Sequence, residues 1–275
     1  MGGVAGAAHG PFAEYHAGRG GRCTTPTTTR GEHMKKDDSS IENHAVVSHE
    51  EWLAARMALL AKEKELTRLR DELTEQRRAL PWEAITKEYV FDGASGKETL
   101  SQLFEGRSQL IVYHFMFHPD DEAGCPHCSI RADGFDGIPV HLNQRDATLV
   151  VVSRAPYAKL AAYRERMGWR FKWVSSGGTS FNFDYGVSFT PEEMADKKAF
   201  FNYRMQFPGR SEREGHSVFY KGASGALFHS YSCYDRGNEM LANHYHYLDI
   251  VPKGRDEEGR GPFWIRRHDD YGKSK

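Results

Sequence analysis

From Leu110 to Phe117 the chain reads Leu-Ile-Val-Tyr-His-Phe-Met-Phe, and after the loop His118 to Gly124 it reads Cys-Pro-His-Cys. A nearly unbroken apolar run of this length marks a strand buried on both faces, which belongs at the centre of an α/β sheet. The loop then delivers the cysteines to the start of a helix. With Cys125 as N-cap, Pro126 falls at N1, where a missing N–H costs nothing and a fixed φ is preorganised. Cys128 is then N3, about one turn away, and the two Cα atoms fall within the roughly 4.4–6.8 Å that a disulfide tolerates.

That placement predicts a reactive pair. Cys125 meets the positive end of the helix, its free amides and a potential imidazolium at His127, all of which favour thiolate. It is the expected nucleophile, and Cys128, one turn further in, the expected resolving thiol. A cation at His127 would stabilise the reduced form and make the couple relatively oxidising. A structural zinc is the competing reading; it needs four ligands, and His114, His118, His127 and Cys233 supply no recognised spacing. His244 and His246 are read as surface histidines, since an i, i+2 pair on a helix faces different ways. Cys23 and Cys233 are read as bystanders.

Further along, Thr148–Ser153 is a second buried strand, Pro156–Met167 a helix, and Trp169–Val174 an alternating strand with Trp169, Phe171 and Trp173 on one face as core. Residues 175–214 read as an aromatic insertion, Ser217–Lys221 and Ala226–Tyr231 as a hairpin, Arg236–Tyr247 as a helix, and 252–275 as a peripheral tail. Pro139, near Gly134 and Gly137, should end or kink the helix behind the cysteines. His118 and Arg154 lie just past two strand ends, the rim where open α/β sheets bind ligands, so Arg154 is a candidate to stabilise the Cys125 thiolate or an anionic substrate. Before the α/β region, Ser48 and Glu51 form a capping box with Val47 as staple, opening a helix expected to run to about Leu80 and to stop at Pro81. This arm carries Trp52, Leu59, Leu66, Leu73 and Leu80 at heptad spacing and is expected to lie on its own domain or on a sister subunit as a homodimer contact. Residues 1–45, rich in Gly and Thr without apolar periodicity, read as a disordered leader, with Met34 as an alternative start.

Composition narrows the partners. Of 275 residues, 37 are Lys or Arg and 38 Asp or Glu, a net charge of −1 that offers no basic footprint for nucleic acid or an anionic membrane. No window approaches the roughly 18 apolar residues of a membrane span, and nothing reads as a secretory signal, which points to the cytoplasm. Four cysteines in such a chain do not make a disulfide scaffold.

The stretches Val47–Arg56, Tyr113–Phe117, Gly124–Ser129, Val152–Pro156, Arg166–Phe171, Phe181–Phe189 and Tyr247–Glu257 resemble a domain-of-unknown-function family of predicted dithiol-disulfide oxidoreductases, over about residues 46 to 270. The resemblance implies a thioredoxin-like fold, a central mixed sheet flanked by helices, related to the alkyl-hydroperoxide-reductase and thiol-specific-antioxidant group. It implies Cys125 and Cys128 as a redox-active disulfide without another cofactor, acting on protein or small-molecule thiols and disulfides. Thioredoxins place a cis-proline before the first strand of the C-terminal hairpin; His216 holds that position here, which alters the substrate groove. Peroxiredoxins carry Thr or Ser three residues before the peroxidatic cysteine, where Glu122 stands. The expected activity is thiol–disulfide exchange, with Pro126, His127, Arg154 and His216 supporting; a thiol peroxidase and a zinc-binding or redox-sensing module are the alternatives.

Overall fold

The computed structural model describes residues 43–257 and 259–273, and every element lies in the compact unit Ala45–Lys275. The leader up to residue 42, with Cys23 and Met34, lies outside the described residues. Ser48 caps helix α1 (His49–Arg78) and Glu51 closes the box from N3. The helix buries none of its residues, and Trp52, Met57, Leu59, Leu66 and Leu69 are more than half exposed. It therefore does not lie on its own domain. Among the described residues its last turn is what anchors it, with Arg77 5.6 Å above the Tyr231 ring and its Nη2 3.9 Å from Met240 Sδ. Among the described residues no helix is long and apolar enough to cross a membrane.

The rest is built on one eight-stranded sheet. Its strands are β1 (Glu83–Ile85), β2 (Val90–Gly93), β3 (Gly96–Thr99), β4 (Gln109–His114), β5 (Ala147–Ser153), β6 (Trp173–Ser175), β9 (Gly215–Lys221) and β10 (Leu227–Tyr234), in spatial order β1-β10-β9-β4-β5-β6-β2-β3. β4 pairs parallel with β5 and antiparallel with β9, so it sits between the two halves of the sheet. The parallel pair requires a crossover, supplied by α2 (Pro126–Ala132) and α3 (Pro139–Asn143), and α4 (Tyr157–Arg166) makes the next one to β6. With the β9–β10 hairpin on its other side, β4 completes a thioredoxin-like fold.

The apolar runs are explained by packing on both faces. Tyr113, Leu149 and Val151 point to the side covered by α2 and α4, while Leu110, Val112, Val150 and Val152 point to the other, against Phe181 and Phe219. Trp169, Phe171 and Trp173 all join the first core, but only Trp173 is in a strand; the two others sit in the bend after α4. The helix behind the cysteines stops at Ala132, sooner than Pro139 would require, and Pro139 instead opens α3 at its first turn. Residues 175–214 hold α5 (Phe181–Asp184), α6 (Pro191–Ala195) and the small hairpin β7 (Ala199–Phe201) and β8 (Arg204–Gln206). After β10 comes a 3-10 helix, Asp235–Leu241, and only then α7 (Asn243–Leu248).

The face opposite the cysteines carries a polar chain across four strands. His114 Nε2 lies 2.9 Å from Ser217 Oγ, which is 2.9 Å from Ser232 Oγ; that hydroxyl lies 2.7 Å from His229 Nε2, and His229 Nδ1 reaches Glu83 at 3.3 Å. A register shift in β10 between His229 and Tyr231 lets His229 and Ser232, three residues apart, share this chain.

Candidate active site

Beyond β4 the chain stays extended to Phe117, then turns back so that the Cys125 N–H donates to the Met116 carbonyl at 3.1 Å. Gly124 makes this turn possible: a Cβ there would lie 2.7 Å from Phe115 Cε1 and 2.8 Å from Tyr163 Cε1. Cys125 is the N-cap of α2, with Pro126 in the first turn. Cys125 is partly exposed, Cys128 fully buried, and both are free thiols. The Met116 N–H donates to Cys128 Sγ at 3.4 Å.

The two sulfurs titrate in opposite directions. A hydrogen bond from the Cys128 thiol, opposed by burial but joined by the amides of Cys128 and His127, holds the Cys125 thiol down to about 7. Burial, with Cys125 beside it, pushes Cys128 well up. Cys125 thus ionises first, and Cys128 keeps its proton as donor.

Behind Cys128 stands a group the sequence reading did not find. Glu214 Oε2 lies 3.8 Å from Cys128 Sγ and accepts from Tyr113 Oη at 2.9 Å. Arg131 grips the same carboxylate through Nε at 3.3 Å and Nη2 at 3.0 Å, and its Nη1 donates to the Asn238 carbonyl at 2.6 Å. Burial, with Cys128 and Glu214 nearby, pushes the Tyr113 phenol well up, so it remains a donor. Arg131 had a signal in the sequence, lying one turn after Cys128 on the same helix face. Glu214 had none: it reaches Cys128 because the start of β9 lies beside the end of β4.

The other supporting residues take different places. Burial lowers the His127 pKa below its ordinary 6.5, so the imidazolium expected between the sulfurs is disfavoured, and Cys125 owes its acidity to Cys128 and to backbone amides instead. Arg154 does not reach Cys125: its Nη1 donates to Glu212 Oε1 at 2.8 Å and its guanidinium lies 4.5 Å above the Phe183 ring. It ties the end of β5 to the inserted segment. His216 is buried against Tyr113, ring centroids 4.7 Å apart, with Nδ1 2.8 Å from Asn238 Oδ1, and burial presses its pKa down to about 4. It stands one layer behind the thiols, and Glu214 two residues earlier is the group that meets Cys128. Among the described residues, no group of three or more His, Cys, Asp or Glu could hold a metal ion.

The C-terminal segment, expected to be peripheral, closes over the site. Arg267 donates through Nε and Nη2 to the Gly124 carbonyl at 3.0 and 2.8 Å and meets Tyr163 Oη at 3.0 Å. Two clefts remain on either side of Cys125. One, of about 640 Å³, runs along His127 and Arg131 to His244, Arg255 and Ile265; His244, read as a surface histidine, is half-buried on its wall. The other, of about 470 Å³, lies between Pro126, His118 and Arg267.

Among solved structures, the chain is similar to Peroxidoxin BcpB from Mycobacterium tuberculosis, at 13% identity and a TM-score of 0.40 over 60% of this chain and 94% of that one. It is also similar to Xanthomonas campestris Peroxiredoxin Q, at 14% identity and a TM-score of 0.41 over 60% and 95% of the two chains. A yeast mitochondrial 1-Cys peroxiredoxin matches at 14% identity and a TM-score of 0.37 over 62% and 78%. No curated protein sequence matches. The profile of the family described as "Bacterial protein of unknown function (DUF899)" matches residues 41–271, and the chain belongs to that family.

Proposed function

We propose that the protein is a thiol–disulfide oxidoreductase working through Cys125 and Cys128. The observation that carries this reading is the stacking of a partly exposed thiol, at a helix start between two clefts, directly over a buried thiol with a carboxylate behind it. The Cys125 thiolate attacks one sulfur of a substrate disulfide and expels the other half as a thiolate, leaving a mixed disulfide on Cys125. Cys128 then gives its proton to Glu214 and attacks Cys125 Sγ, which releases the second thiolate. Two electrons pass from the dithiol to the substrate, and an external thiol of the cell returns them.

The test is oxidation of the reduced protein by excess small disulfide, followed by alkylation and mass measurement at controlled pH. One Cys125–Cys128 disulfide should form, and iodoacetamide should modify Cys125 first, with a rate that rises with pH around a midpoint near 7. Both thiols remaining free, or stoichiometric zinc protecting them, would end this reading. Glu214→Gln keeps the shape of the acceptor but not its charge, so the first attack should persist while release of the second thiolate slows by roughly 10²-fold. Equal slowing of both steps would show that Glu214 acts only as a structural partner of Arg131.

The reach of Cys128 also suits a thiol peroxidase, in which the Cys125 thiolate takes the terminal oxygen of a hydroperoxide as sulfenic acid, the O–O bond breaking to release the alcohol, and the Cys128 thiol then condenses with the sulfenic acid to form the disulfide and water. Disulfide formation that is faster with hydroperoxides than with any disulfide would favour it.

A further inference from the structure

The clefts on the two sides of Cys125 bear on which disulfide it meets, an inference that rests on the oxidoreductase reading above. A protein disulfide needs an open surface on which a loop can lie. Here the C-terminal segment narrows the approach to Cys125, lining one cleft with Gly261, Pro262 and Ile265 and the other with Arg267, and what remains are two pockets of the size that holds small organic ligands. Both have Met116, Cys125 and Arg210 in their walls. A disulfide with one of its two sulfurs against Cys125 sends its two halves apart, and each half has a cleft to enter.

Charge adds the chemical class. In the larger cleft Glu214 is held by Arg131, Asp235 by Arg213, and Glu239 by Arg236 and Arg255. Glu257 accepts from the Trp264 indole at 2.9 Å and from Tyr245 Oη at 3.3 Å. In the smaller cleft Glu212 is held by Arg154, and Arg267 is committed to Gly124. Arg210 is exposed and, among the described residues, makes no hydrogen bond or ion pair. It is the uncommitted cation facing both clefts, and its charge already disfavours protonation of His127. A planar guanidinium on both walls suits carboxylates on the two halves of one ligand.

We propose that the substrate is a low-molecular-weight disulfide bearing carboxylates, seated with one half in each cleft, and that Arg210 pairs with those carboxylates and sets specificity. Cys125 expels one half as its thiolate into the cleft it occupies, and Cys128 then frees the other half.

The experiment follows oxidation of the reduced full-length protein by 3,3′-dithiodipropionate, by neutral 2-hydroxyethyl disulfide and by insulin as a protein disulfide. The dianionic reagent should react with a kcat/KM at least about tenfold above the neutral one and above insulin. Arg210→Ala should remove most of that ratio by raising KM for the dianion, Arg210→Lys should restore part of it, and added salt should compress it. A preference for insulin, equal rates for the charged and neutral reagents, or an Arg210→Ala variant that keeps the ratio would overturn the proposal while leaving the oxidoreductase reading intact. If none of the three oxidants forms the Cys125–Cys128 bond, the oxidoreductase reading itself fails, and this inference with it.

Discussion

Replacing Cys125 with serine is expected to lower disulfide reduction by roughly 10³-fold or more, because a serine hydroxyl has no anion available near neutral pH. Cys128→Ser should behave differently. Its Cys125 keeps the helix amides and the exposed position, and the serine hydroxyl offers a donor in place of the Cys128 thiol, so it should react once and then stop as a mixed disulfide. Single-turnover kinetics with mass detection of the trapped adduct separates the two variants. A mixed disulfide that accumulates on Cys128 in the Cys125→Ser protein, with none trapped on Cys125 in the Cys128→Ser protein, would reverse the assigned roles.

The second large effect concerns acid. His114 and His216 are both buried, and burial presses their pKa values down to about 3 and about 4 from an ordinary 6.5. In the folded protein they stay neutral at pH 5, whereas in the unfolded chain they take up protons as the pH falls through 6.5. Their stabilising contribution is therefore complete above pH 6.5 and is lost on descending toward the folded values, at about 1.4 kcal/mol per pH unit for each. Together they should remove about 2 kcal/mol between pH 6 and pH 5, a large share of the roughly 5–15 kcal/mol that holds a domain together. Glu212, whose carboxyl burial pushes up, opposes the trend, because it takes a proton more readily in the folded state. Urea unfolding at pH 7.5, 6, 5 and 4.5 measures the slope, and His114→Gln should reduce it by about one proton. A slope that is flat above pH 5 would contradict the assignment of neutral buried imidazoles.

The parts of the fold legible in the sequence were those written in local pattern. Leu110–Phe117 and Thr148–Ser153 announce strands because both faces of each are buried, which leaves no polar alternation to misread. Ser48 and Glu51 declare their helix within four residues. The arrangement of Cys125, Pro126 and Cys128 was readable for the same reason, since N-cap, N1 and N3 are positions of one turn. What could not be read was charge and distance. His127 looks cationic until its burial is known, and Arg154 looks free until the inserted segment brings Glu212 to it. The alternation of Trp169, Phe171 and Trp173 imitates a strand because a bend packed on aromatic side chains also sends alternate residues inward. Glu214, Arg210 and Arg267 arrive at the thiols from other elements, by sheet order and by the path of the last residues, and no local pattern encodes that arrival.

The clasp of Arg267 on the Gly124 carbonyl joins residues 143 apart in sequence. A ribosome extends a chain by about 5–20 residues each second, so roughly seven to thirty seconds separate the making of the reactive turn from the making of its clasp. Through that interval β4 and both cysteines already exist, while the carbonyl that positions Cys125 has no arginine to hold it. Newly made chains should thus pass through a period in which this thiol meets disulfides and oxidants without the selection that the finished clefts impose.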